Sequence, residues 1–132
     1  MTANDVMAER IIVLADRDPR VRELATHFLV AANFRVEPAA DGLVAFEKVR
    51  ELVPALLITE VLLPKLDGLA LCRRLKADDK TARVPVLVLS VLAVQGRAGE
   101  AGADDFMMKP VLEERLLRAV SDVLKRTAPQ GS

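Results

Sequence analysis

Six residues of this 132-residue chain carry groups suited to chemistry at the ends of short apolar runs. Asp16, Arg17 and Asp18 follow Ile11–Ala15. Glu60 follows Ala55–Thr59, Ser90 ends Val86–Ser90, and Lys109 ends Asp105–Lys109. Clustered carboxylates resist ionising together unless a cation joins them. A hard ion with oxygen ligands, magnesium, is one such cation. The Arg17 guanidinium, a fork shaped for a carboxylate, and the Lys109 ammonium are two others. Asp16, Arg17, Glu60 and Lys109 cancel in formal charge, so this set can neutralise itself without a metal.

The rest of the composition narrows the chemistry. A lone His27 leaves no His-rich metal site and weakens any Ser/His or Cys/His nucleophile scheme. A lone Cys72 excludes an internal disulfide framework and a Cys-based zinc cluster. Lys plus Arg and Asp plus Glu both number 19, so the formal net charge is zero. That argues against nucleic-acid binding, which brings a basic excess. No apolar run nears the roughly 18 residues that span a bilayer, and Met1–Arg10 has no signal-peptide core. The expectation is a reduced cytoplasmic domain that binds no membrane.

The elements that must position these groups alternate. Ile11–Ala15 is short and β-branched, a buried strand. Asp18-Pro19 starts a helix, with an N-cap followed by proline at the first helical position. Val21, Leu24, Ala25, Phe28, Leu29 and Ala32 give that helix one apolar face, and Asn33 suits a left-handed C-cap. Phe34–Ala39 predicts a weaker strand, placed at an edge by Pro38. Asp41 caps a helix from Gly42 to Leu52. Ala55–Thr59 is the third strand, and a helix follows from about Asp67 to Leu75. Val86–Ser90 is the fourth strand. Glycines 96, 99 and 102 surround a short fourth helix. Asp105–Lys109 is the fifth strand. Leu112, Leu116, Leu117, Val120, Val123 and Leu124 mark the last helix. Residues 1–9 read as an extension, 10–126 as one domain, and 127–132 as a tail or the start of a linker.

This pattern predicts an α/β, doubly wound parallel sheet with helices on both faces, a three-layer sandwich. Five strands suggest the flavodoxin-like order 2-1-3-4-5. Sites in such sheets lie beyond the carboxyl ends of the strands, at the switch point between strands one and three. Asp16, Arg17, Glu60, Ser90 and Lys109 converge there.

The stretches IIVLADRDPRVR, PALLITEVLLPKLDGLALCRRLK, VPVLVLS and EAGADDFMMKP resemble the receiver domain of two-component response regulators, from about Arg10 to Arg126. AGADDF followed by Lys109-Pro110 is the most specific of them. The resemblance implies a (βα)5 CheY-like fold and a phosphoryl group accepted by an aspartate at the end of strand three. It implies a magnesium ion held partly by two acids after strand one. A Ser or Thr and a Lys contact the phosphoryl group, and an aromatic residue switches rotamer. Carried over, Asp16 is the first acid, Ser90 the hydroxyl, Lys109 the lysine and Phe106 the aromatic switch. The Lys109-Pro110 bond is expected to be cis.

Three departures matter. Arg17 stands where the second acid belongs, and Glu60 where the acceptor aspartate belongs. The stretch from Ser90 to Lys109 is short by about one helical turn, roughly 3.6 residues. The expectation is an ion pair between Arg17 and Glu60, the guanidinium replacing the metal, with Lys109 on the same carboxylate. Asp18 serves as an N-cap rather than a metal ligand. His27 is a surface residue, Cys72 packs, and Met107 and Met108 are core and rim. No cofactor is expected, and magnesium only doubtfully, at Asp16. The functional reading is an atypical receiver acting through signalling partners, such as a histidine kinase or an output domain, and not an enzyme. One alternative is a working receiver that phosphorylates Glu60 or a nearby acid. The other is a flavodoxin-like cofactor-binding domain, against which no GxGxxG or GxxxxGK[ST] occurs.

Overall fold

The computed structural model describes residues 10–127. The elements are β1 (Ile11–Ala15), α1 (Pro19–Ala31), β2 (Arg35–Ala39), α2 (Gly42–Leu52) and β3 (Leu56–Thr59). They continue as α3 (Gly68–Ala77), β4 (Val86–Ser90), α4 (Gln95–Glu100), β5 (Asp105–Met108) and α5 (Glu113–Thr127). The five strands are parallel in the order β2-β1-β3-β4-β5. The predicted fold class and order are those observed.

Alternation along each strand splits the core into two layers. Val13, Leu57 and Val88 face one way, packing with Ala45 and Val49 of α2, Leu71 and Leu75 of α3, and Ala98 of α4. Ile12, Leu14, Ile58 and Leu89 face the other way, packing with Ala25 and Leu29 of α1 and Leu116, Val120 and Val123 of α5. Cys72 is fully buried in the first layer, as expected of a packing residue. Met107 is buried and Met108 half-buried, while His27 is exposed.

Local signals set the helix starts. Asp18 accepts from the Arg20 amide at 2.9 Å, Asp41 from the Val44 amide at 2.8 Å, and Asp67 from the Leu69 and Ala70 amides at 2.9 Å. Each satisfies backbone donors that the first helical turn leaves open. Asn33 has φ +73°, the left-handed conformation expected of it. The truncated α4 has six residues and no side-chain cap.

Several boundaries differ from the sequence reading. β2 and β3 begin one residue later than predicted, β5 ends before Lys109, and α3 runs on to Ala77. Thr127, placed in the tail by the sequence reading, is helical, its hydroxyl donating to the Val123 carbonyl at 2.7 Å. The expectations for residues 1–9 and 128–132 lie outside the described residues. Leu24 and Leu112 are 43% and 47% exposed. The apolar stripe of α1 buries Ala25 and Leu29 with Val21 and Phe28 packed beside them and leaves Leu24 outside, and Leu112 precedes α5 rather than facing the core.

Val53 ends α2 with φ +42° and ψ +65°, and its side chain is 47% exposed. A β-branched residue in the left-handed region carries steric strain of about 1–2 kcal/mol, which glycine avoids. Val53→Gly is therefore predicted to stabilise the domain by about 1 kcal/mol, after the added freedom of glycine in the unfolded chain is offset. Urea unfolding at neutral pH measures this. A lower midpoint than the parent's would place the strain elsewhere.

Candidate functional site

The backbone ladder continues past the strands and fixes the site residues in place. The Asp16 amide donates to the Ala39 carbonyl at 3.0 Å, the Glu60 amide to the Ala15 carbonyl at 2.9 Å, and the Lys109 amide to the Ser90 carbonyl at 2.9 Å. Asp16, Glu60, Ser90 and Lys109 therefore meet at the carboxyl edge of the sheet, around the switch point. Gly68, at the start of α3, makes room for this. A Cβ there would lie 2.1 Å from the Glu60 carbonyl oxygen.

Glu60 is 3% exposed, and both its carboxylate oxygens are fully engaged. Oε1 accepts from the Ser90 hydroxyl, from the Val61 amide at 2.6 Å and from the Leu62 amide at 3.3 Å. Oε2 accepts from the Val91 amide at 3.2 Å and pairs with Lys109 Nζ at 2.9 Å. Lys109 also pairs with Asp16 Oδ2 at 2.7 Å. Asp16 Oδ1 accepts from the Asp18 amide at 2.9 Å. One ammonium thus bridges two buried carboxylates.

Burial pushes the Glu60 carboxyl upward in pKa. The Ser90 hydroxyl, the Lys109 ammonium and the Val61 amide overcome this and hold it below its usual range. Burial likewise depresses the Lys109 ammonium, but its bonds to Asp16 and Glu60 prevail and raise it.

The expected Arg17–Glu60 ion pair does not form. Arg17 is exposed, and Glu60 pairs with Lys109 alone. Arg17 begins the turn beyond β1, outside the ladder, and water solvates its guanidinium there. Replacement of the metal by Arg17 is therefore overturned. The arginine that does approach is Arg22 of α1, whose Nη1 donates to the Asp16 carbonyl at 2.5 Å. Asp18 is the N-cap it was expected to be. Phe106 is half-buried against the layer containing Ala98 and Ala101. Pro110 is exposed, and the Lys109-Pro110 bond is cis.

The sequence matches the response regulator receiver domain family over residues 12–121. The chain belongs to this family. As a receiver it is 36% identical over 121 residues to the DNA-binding dual master transcriptional regulator RpaA of Synechocystis, covering 88% of this chain and 49% of RpaA. It is 39% identical over 126 residues to the response regulator MprA of Mycobacterium leprae, covering 92% of this chain and 54% of MprA. The receiver thus spans about half the length of these relatives. The signal receiver domain of a signal transduction histidine kinase from Syntrophus aciditrophicus superposes with TM-score 0.78 at 33% identity, covering 92% and 95% of the two chains. With the family shown, the flavodoxin-like cofactor-binding alternative falls away. Among the described residues no helix of the receiver is long and apolar enough to cross a membrane.

The family implies magnesium at this edge, and the residues present do not fit it. Magnesium asks for near-octahedral oxygen ligands. Here Asp16 and Glu60 are the acids at the pocket, and every one of their carboxylate oxygens already accepts a donor. Among the described residues no three His, Cys, Asp or Glu side chains gather as a metal set.

Sequence reasoning missed the three amides on Glu60 and the role of Arg22. Every residue but proline carries an amide, so residue type does not mark these donors. An arginine in the early turns of the helix after β1 was the available signal for Arg22.

The bridge sets a pH dependence. A depressed Glu60 contributes stability that is fully present above its ordinary value of 4.5 and is lost as pH falls through the lower folded-state value. A raised Lys109 contributes stability that is fully present below its ordinary value of 10.5 and is lost as pH rises through the higher folded-state value. Between these limits the contribution is flat. Lys109→Met should cost about 3 kcal/mol at neutral pH, because two buried carboxylates lose their cation. Chemical denaturation across the acid range should show Glu60→Gln flattening part of the parent's acid limb. An unchanged limb would assign acid sensitivity to other carboxylates.

Proposed function

We propose that this receiver is an interaction module whose phosphoryl seat is filled by its own Glu60 carboxylate. It works without ordinary magnesium-dependent aspartyl phosphorylation. The observation that carries this is one carboxylate in contact with both Ser90 and Lys109, the residues that correspond to the family's phosphoryl contacts. Glutamate reaches one methylene further than aspartate, about 1.5 Å, enough to put its oxygens where a phosphoryl group on aspartate would present its own. The charge is −1 rather than the −1.5 to −2 of a phosphate. The inward Ser90 and half-buried Phe106 accord with a domain held in one signalling arrangement.

Phosphoryl transfer relies on positioning and on cations that neutralise the transferred group. A filled seat and a poor metal set remove both. The domain then signals through its surface to protein partners, a histidine kinase or an output domain in a cytoplasmic two-component pathway, and does not act as an enzyme.

Titration calorimetry should detect no magnesium binding at millimolar concentration, and acetyl phosphate should leave the mass unchanged. A stable adduct on Glu60 would instead make this a working acceptor. The pair Arg17→Asp with Glu60→Asp restores the second acid and shortens the acceptor, so it should gain both magnesium binding and a phosphoryl adduct at position 60. Glu60→Asp alone should gain neither to the same extent. A double variant that binds no magnesium would show that the shortened α4 region also disables the pocket.

A further inference from the structure

The end of the sheet opposite Glu60 carries two adjoining clefts, of about 340 and 440 Å³. The first lies between the end of α2, the segment before β4 and the last turn of α5, over Val53, Pro54, Val84 and Leu124. The second lies between the start of β2 and α5, over Phe34, Leu117 and Leu124. Arg10 and Leu124 line both, which makes them one groove.

Among the described residues the charge lining this groove has a single sign: Arg10, Lys80, Arg83 and Lys125 line it, and no described Asp or Glu does. Some cations elsewhere form ion pairs, as with Arg35–Glu37, Arg50–Asp78, Lys76–Asp104 and Arg126–Asp105. The four groove cations have no carboxylate within 4.0 Å among the described residues. Val53 adds a separate observation. It holds a strained left-handed backbone, yet presents an apolar side chain at the groove where glycine would relieve the strain.

We propose that this groove binds an acidic peptide segment of a partner protein. An apolar side chain of the peptide seats over Val53 and Leu124, and its carboxylates meet Arg10, Lys80 and Arg83. Arginine forks suit carboxylates, and an aliphatic floor ringed by unpaired cations suits an anchor flanked by acids. Nucleic acid fits less well. Phe34 is the one aromatic ring in the groove, and the Arg10 guanidinium covers it at 5.2 Å, so no stacking platform is open to a base. The site is independent of the Glu60 pocket at the other end of the strands.

A random peptide library displayed on phage and selected on the intact chain tests this. Enriched peptides should be acidic and carry a Leu, Met or Phe. The Kd of the best peptide, read by fluorescence anisotropy, should weaken about tenfold or more in the Lys80→Glu, Arg83→Glu double variant, and should weaken with added salt. Val53→Gly should unfold later than the parent yet bind the peptide more weakly, which separates recognition from folding. Enrichment without acidic bias, or equal binding by the charge-reversed variant, would overturn the proposal. A single-stranded oligonucleotide that displaces the peptide below the peptide's own Kd would assign the groove to nucleic acid. Tighter peptide binding after removal of residues 1–9, which include Asp5 and Glu9, would assign it to the chain's own acidic segment.

Discussion

A buried carboxylate must be paid for in hydrogen bonds and countercharge, and Glu60 imposes that demand at the most crowded point of the fold. Left unpaired, it would protonate or destabilise the domain by several kcal/mol. Its partners come from three separate loops and one further strand end: the Val61 and Leu62 amides, the Ser90 hydroxyl, the Val91 amide and the Lys109 ammonium. Lys109 in turn anchors Asp16. The ends of β1, β3, β4 and β5 are thereby tied to one another through side chains as well as through the ladder.

This arrangement shapes the outer surface of the same loops. The Leu62 and Val91 amides point inward to Glu60, and the Leu92 amide donates to the Ser90 hydroxyl at 3.1 Å. Their side chains consequently face outward, with Leu62, Val91 and Leu92 at 38%, 54% and 37% exposure. The buried carboxylate of Glu60 and the Ser90 hydroxyl hold the backbone of these loops. The rim above the pocket thus carries three exposed apolar side chains on loops whose amides are tied to Glu60 and Ser90.

What the sequence made legible was local or periodic. Asp18-Pro19, Asp41 and Asp67 each act on amides two or three residues ahead, so their positions alone located three helix starts. The apolar runs placed Asp16, Glu60, Ser90 and Lys109 within a residue of the strand ends, because side-chain alternation leaves little freedom of register. Arg17 was misread because it sits one residue past the ladder. Its long side chain chooses between a carboxylate and water, and spacing does not encode that choice. Leu24 and Leu112 were misread for a related reason. Periodicity identifies a face, whereas the width of the buried stripe depends on which neighbouring helix covers it.

The proline in β2 has a consequence for the company this domain can keep. Arg35 and Ala39 turn their backbone groups toward β1, the Arg35 amide donating to the Arg10 carbonyl and the Ala39 carbonyl accepting from Asp16. By alternation, Val36 and Pro38 turn theirs toward the open side of the sheet. Pro38 has no amide to offer there, and its carbonyl is already taken by Lys48 Nζ at 2.5 Å. An incoming strand would find the middle of this border blank. Edge-to-edge pairing of copies along this border is thereby disfavoured, which leaves contacts between copies to side-chain surfaces.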